Sequence, residues 1–81
     1  MISSVTAPSQ VLDCTGLNCP LPVVKTAGAI KKIEVGEILE VRATDPASPA
    51  DLAAWAKNTG HEIVGQWEAN GVYTFHVRRS W

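Results

Sequence analysis

Pro20 and Pro22 stand one residue apart in the stretch "LNCPLP" (Leu17–Pro22), and a pair so spaced cannot lie inside a helix. Within a helix interior each proline removes a hydrogen bond and clashes with the preceding turn. In the first turn neither penalty applies, because those N–H groups have no helical acceptor. The residues that follow carry a helical pattern: Val23, Ala27 and Ile30 recur at intervals of four and three, and Val24 widens the apolar face. A helix over Pro20–Ile33 is therefore expected, with Cys19 as its N-cap, Pro20 at N1 and Pro22 at N3. Lys31 and Lys32 fall near its end, where the helix dipole favours cations.

The other segments follow from alternation and turn chemistry. "QVLDC" (Gln10–Cys14) suits a first strand and "TGLN" (Thr15–Asn18) a turn. "EVGE" (Glu34–Glu37) ends the helix at Gly36. In "ILEVRAT" (Ile38–Thr44), Leu39, Val41 and Ala43 face one way, Glu40 and Arg42 the other, which predicts a half-buried strand. Asp45-Pro46 breaks it. "SPADLAAWAKNTG" then predicts a second helix with Ser48 as N-cap, Pro49 at N1, Asp51 in the first turn and Gly60 just past the end. Its apolar face holds Leu52, Trp55, Ala56 and Thr59. "HEIVGQWE" and "VYTFHVRR" flank Asn70-Gly71, a strong hairpin turn. The order β-α-β-α-β-β predicts an α+β fold: a two-layer sandwich with two helices on one face of a four-stranded mixed sheet. Strand order is not readable.

A chain of 81 residues is near the lower limit for a self-sufficient core, so one domain is expected over 10–81, after a flexible tail over 1–9. Its formal net charge of −1 offers no general attraction to nucleic acid or anionic membrane. No apolar run approaches the ~20 residues of a spanning helix, and "MISSVTAPSQ" lacks the regions of a secretory signal. A cytoplasmic location is expected, where two cysteines act as thiols and not as a staple.

Cys19 is the group whose placement asks for a chemical reason. Ser, Thr, Asp or Asn would cap a helix better. With Pro20 and Pro22 lacking N–H groups, Leu21 holds the one free donor of the first three helical positions. A sulfur there meets the positive end of the dipole and one amide, which predicts a lowered thiol pKa. Asp13 would oppose ionisation if it lies near in space.

"LDCTGLNCPLPVV", followed by "GEILEV", "TDPAS", a tryptophan and "GHE", resembles the TusA (SirA-like) family of small sulfur-carrier proteins over nearly all of Val11 to Arg79. The resemblance implies a βαβαββ fold and a cytoplasmic protein that carries sulfane sulfur as a persulfide. It maps the sulfur-carrying cysteine onto Cys19, the signature prolines onto Pro20 and Pro22 around Leu21, and the lead-in onto Asp13, Gly16 and Leu17. It also implies a protein donor, either a cysteine desulfurase or a rhodanese-type protein, and a protein acceptor of DsrE-like or other relay type. Cofactor, metal, direct nucleic-acid and membrane roles are not implied. Two further readings stay open: an interaction or regulatory module in which Cys19 only caps, and a thiol-disulfide protein using Cys14 with Cys19.

The remaining candidates have simpler readings. Cys14 reads as a buried strand-end residue. His61 suits a helix C-terminus when protonated, and His76 the solvent side of its strand; neither completes a metal-ligand spacing with the cysteines. Trp55 reads as core, Trp67 as either sheet face and Trp81 as exposed. Lys25, Lys31, Lys32, Arg78 and Arg79 read as solvated surface; if several cluster beside Cys19, they would steer an acidic partner to it.

Overall fold

Strands β1 (Gln10–Cys14) and β2 (Ile38–Ala43) run parallel, with Cys14 opposite Ala43, in a computed structural model that describes residues 7–81. Parallel neighbours need a crossover. Helix α1 (Leu21–Ala29), continued by a 3₁₀ turn over Ile30–Lys32, supplies it. Helix α2 (Ser48–Thr59) then leads to the sheet edge, where β3 (Glu62–Ala69) lies, and β4 (Val72–Arg78) returns into the gap beside β2. β4 is antiparallel to both neighbours, so the sheet is mixed, in the order β1-β2-β4-β3. Asn70 and Gly71 both have positive φ, 54° and 81°, as a tight two-residue hairpin turn requires. The architecture is the α+β sandwich expected from the sequence.

Burial explains why β4 and not β3 is central. Phe75 and Val77 are completely buried, whereas most of β3 is exposed and bulges between Ile63 and Gly65. A bulge disfavours further pairing at an edge. The inner sheet face presents Cys14, Leu39, Val41, Ala43, Phe75 and Val77 to Ala29 and Ile30 at the end of the first helical segment and to Leu52 of α2.

α1 differs from its expected form in length and in the face it buries. It is shorter, the 3₁₀ turn taking over at Ile30. Its buried face is Pro22, Thr26 and Ala29, with Val23 partly packed, while Val24 is 58% exposed. Thr26 can be buried because its hydroxyl donates to the Pro22 carbonyl at 2.7 Å. α2 starts one residue early: Ala47 is the N-cap, and Ser48 is a buried first-turn residue instead of the cap. No side chain caps α2; the Asp45 carboxylate instead shapes the turn before it, accepting from the Ala47 N–H at 3.0 Å. Gly60 closes the helix in the left-handed region, φ 88°.

On the helix-free sheet face, Glu40 is buried, not solvated as its place in the alternation suggested. It lies between His76 Nε2 at 2.8 Å and Arg42 Nε at 2.7 Å, and hydrogen bonds from both hold its carboxyl below the usual range. Trp67 meets the edge of His76 from the same face. Residues 1–6 of the expected tail lie outside the described residues; Ser9 donates its N–H to the Ile38 carbonyl at 2.8 Å.

His61 corrects the expectation of a protonated residue at a helix end. Its ring stacks on Trp81 at 5.1 Å and tilts against Trp55 at 5.5 Å, and Nδ1 accepts from the Ser80 N–H at 3.1 Å. Accepting through Nδ1 requires that nitrogen to be unprotonated. Burial first, then the Arg79 charge, pushes its pKa down from 6.5. The unfolded chain therefore binds this proton at a higher pH than the folded one, and the folded state loses stability as pH falls below about 6.5. Urea denaturation at pH 7.5 and at pH 5.5 should show a loss on acidification that His61→Asn reduces.

Candidate functional site

The parallel pairing of β1 and β2 puts their C-terminal ends side by side, so the loop leading into α1 lies against the connection leading into α2. Four hydrogen bonds tie the two loops and shape the first. Gly16, with φ 80°, donates its N–H to Thr44 Oγ1 at 2.8 Å. The Cys19 N–H donates to the Asp45 carboxylate. Asp13 Oδ1 accepts from both the N–H and the hydroxyl of Thr15, at 2.9 and 2.6 Å. Leu17 anchors the loop from below, partly buried against the core. Cys19 is left exposed at the crest, preceding a cis peptide bond to Pro20.

The cap of α1 is shifted by one residue from the expected position. Val24 N–H donates to the Pro20 carbonyl at 3.1 Å, which makes Pro20 the N-cap and places Leu21 at N1 and Pro22 at N2. The Leu21 N–H, the one amide expected to face the sulfur, instead donates to the Asn18 carbonyl at 2.9 Å. No side chain caps the helix. Cys19 thus lies one residue outside the position where the dipole would act on it most.

Its thiol is correspondingly not acidified. The Asp51 carboxylate, in the first turn of α2, pushes its pKa up most; partial desolvation and the charge of Asp45 act in the same direction. The opposing carboxylates are these two, not Asp13, whose own pKa is held down by Thr15. The two arginines near the C-terminal end are engaged elsewhere. Arg78 pairs with Glu62 at 2.6 Å, and Arg79 donates to the Ile33 carbonyl at 2.6 Å. The surroundings of Cys19 are acidic and, through Leu21 at 44% exposure and Val24, apolar.

Cys14 lies beneath, with no solvent exposure, in the core cluster. Burial raises its pKa too. Both cysteines are free.

The loop residues singled out from the sequence, Asp13, Gly16, Leu17, Cys19 and Pro20–Pro22, occupy this one corner. Thr44, Asp45 and Asp51 belong with them and were not assigned to it. For Asp45 a signal existed: Asp-Pro directly after a strand favours a turn in which the carboxylate takes a backbone N–H two residues on. For Asp51 none did, since a carboxylate in a first helical turn has its own reason to be there.

Residues 10–79 match the family model described as Sulfurtransferase TusA. The chain belongs to the TusA family of sulfur carriers. Sulfur carrier protein TusA of Allochromatium vinosum is 41% identical over 71 residues, which are 88% of this chain and 93% of that one. YrkF of Bacillus subtilis is 54% identical over 69 residues, 85% of this chain, which spans only 37% of that longer relative. A crystal structure of the SirA-like protein from Desulfitobacterium hafniense has a TM-score of 0.76, covering 89% of this chain and 99% of its own; at 23% identity it bears on the fold alone. Membership implies protein partners in a sulfur relay. Among the described residues no helix is long and apolar enough to cross a membrane.

Proposed function

We propose that Cys19 is the carrying atom of this protein, accepting sulfane sulfur as a persulfide and passing it to a second protein. The observation that carries this reading is the contrast between its cysteines: Cys19 exposed on a loop tied to both parallel strands, Cys14 sealed in the core. The Cys19 thiolate attacks the outer sulfur of a donor persulfide. That donor S–S bond breaks, the donor cysteine departs as thiolate, and Cys19 holds the new S–S bond. The proton released from Cys19 balances the one the donor thiolate takes up. In delivery an acceptor thiolate attacks the outer sulfur and Cys19 is the leaving group. The sulfur moves at the sulfane oxidation level throughout, so no external oxidant or reductant enters.

The partners of this reading are a cysteine desulfurase or rhodanese-type donor and a DsrE-like or similar relay acceptor, in the cytoplasm, where free thiols persist. The loop supports such exchange by fixing the sulfur where another protein's cysteine can reach it. Incubation with a persulfide-bearing donor protein tests it: the intact mass should rise by one sulfur atom and fall back on adding reductant. No gain from any competent donor overturns the reading.

A further inference from the structure

A cavity of about 220 Å³ opens between the C-terminal ends of the two helices, at the opposite end of α1 from Cys19. Sulfur transfer has no use for it. We propose that this cavity is a binding site for a small aromatic carboxylate, one flat ring carrying one negative charge. The proposal stands apart from the carrier reading of Cys19.

Its walls are aromatic and already in place. The His61 ring is stacked on Trp81 with 12° between the planes, and is tilted by 31° against Trp55. Trp81 is 63% exposed, yet its indole is pinned, because Nε1–H donates to the Thr59 carbonyl at 2.6 Å. Ala27 and Ile30 add the apolar side that α1 contributes. A dry cavity of about 150 Å³ takes up a benzene ring. The space here is larger, enough for a ring and a short charged substituent.

His61 supplies a donor that the protein does not use. Its Nδ1 accepts from the Ser80 N–H, so in the neutral ring the proton is on Nε2. Residue His61 is only 8% exposed, and Nε2 has no hydrogen-bond partner among the described residues. It is nonetheless not sealed in: Ser48 Oγ is the one fully enclosed side-chain polar atom there without a partner. Nε2–H therefore opens onto free space, and the space that His61 lines is this cavity. A nearly buried donor without an acceptor is costly, and a carboxylate oxygen would satisfy it.

Charge selects the sign of the ligand. Lys31 and Arg79 line the cavity, and no carboxylate side chain does. Among the described residues the ion pairs belong to Arg42, His76 and Arg78, so neither of these two cations has an acidic side-chain partner. Arg79 is held in place by the carbonyls of Ile33 at 2.6 Å and Trp81 at 2.7 Å, which fixes its charge at the rim. An anionic ring gains from both cations and from the His61 donor. A neutral ring gains apolar contact alone, and a cationic one is repelled.

The test titrates the whole chain with phenylacetate, its neutral amide phenylacetamide and the cation phenethylamine, following backbone and indole N–H signals by nuclear magnetic resonance. Phenylacetate should saturate in the low millimolar range, as suits so small a ligand, and should move the indole signals of Trp55 and Trp81 and the amides of His61 and Ser80. The amide should bind about fivefold more weakly or worse, and the amine should not saturate. Lys31→Gln, at an exposed position, should cut the preference for anion over amide about two- to threefold. Trp81→Ala removes an exposed wall and should weaken phenylacetate about tenfold. Trp67→Ala, on the helix-free sheet face, should bind as the wild type does. Failure of phenylacetate to saturate, equal binding of the three probes, or wild-type affinity in a folded Trp81→Ala would each overturn the proposal. No step of the measurement involves sulfur transfer, so this site and the role of Cys19 can fail separately.

Discussion

Cys19→Ser is expected to abolish sulfur loading completely while leaving the thermal midpoint where it was. The thiol makes no core contact: it sits at the crest of a loop held from below by Leu17 and from the side by the Asp45 bond to the Cys19 backbone, which serine retains. A serine hydroxyl is not a nucleophile toward sulfane sulfur at neutral pH. Cys14 cannot substitute for it. That sulfur has no exposure, burial raises its pKa, and thiolates, not thiols, attack persulfides. Cys14→Ala should in turn load as the wild type does. This pair of results separates a carrier from a Cys14/Cys19 redox couple, in which either replacement would remove the chemistry. Residual loading in Cys19→Ser, followed by intact mass with a persulfide donor, would place the cargo on another residue.

What the sequence disclosed and what it concealed divide by the range of the interaction. The hairpin was legible because Asn70-Gly71 and the alternation of Tyr73, Phe75 and Val77 are local facts. The inward set of β2 was legible for the same reason, and Leu39, Val41 and Ala43 are all fully buried. Cap positions were less so. Both helices have N-caps that differ by one residue from expectation, since the deciding bonds, Val24 N–H to the Pro20 carbonyl and Asp51 N–H to the Ala47 carbonyl, depend on how the loop before each helix closes. The electrostatics of the site were hidden altogether. Helix-start physics predicted an acidified sulfur, but the carboxylates of Asp51 and Asp45 push its pKa up, and they belong to a connection that the parallel pairing of β1 with β2 brings alongside. Strand order was equally a tertiary outcome, although the polar residues of β3 beside the buried ones of β4 held a trace of it.

Phe75→Ala is expected to give the largest loss of stability of any single side-chain truncation. Among the described residues Phe75 is the largest fully buried side chain; it stands on the central strand β4, opposite Val41 of β2, in one core cluster with Ala29 of α1 and Leu52 of α2. Removing a buried phenyl ring forfeits its transfer free energy and leaves a cavity, about 3–5 kcal/mol together. Total stabilities are about 5–15 kcal/mol, and a chain of 81 residues stands at the lower end of the size range that supports a core. Urea denaturation should therefore show most of the folding free energy gone, and the thermal midpoint should fall by more than about 10 °C. Val24→Ala makes the informative contrast. The helical spacing assigned Val24 to the apolar face, yet it is more than half exposed, so its truncation should change stability by no more than about 0.5 kcal/mol. The same side chain lies one turn from the sulfur loop, so the residue that contributes least to the fold should still slow transfer with a docked partner. A substitution that leaves stability intact and lowers the rate of sulfur transfer would show that the apolar exposure near Cys19 serves contact between proteins, not packing within one.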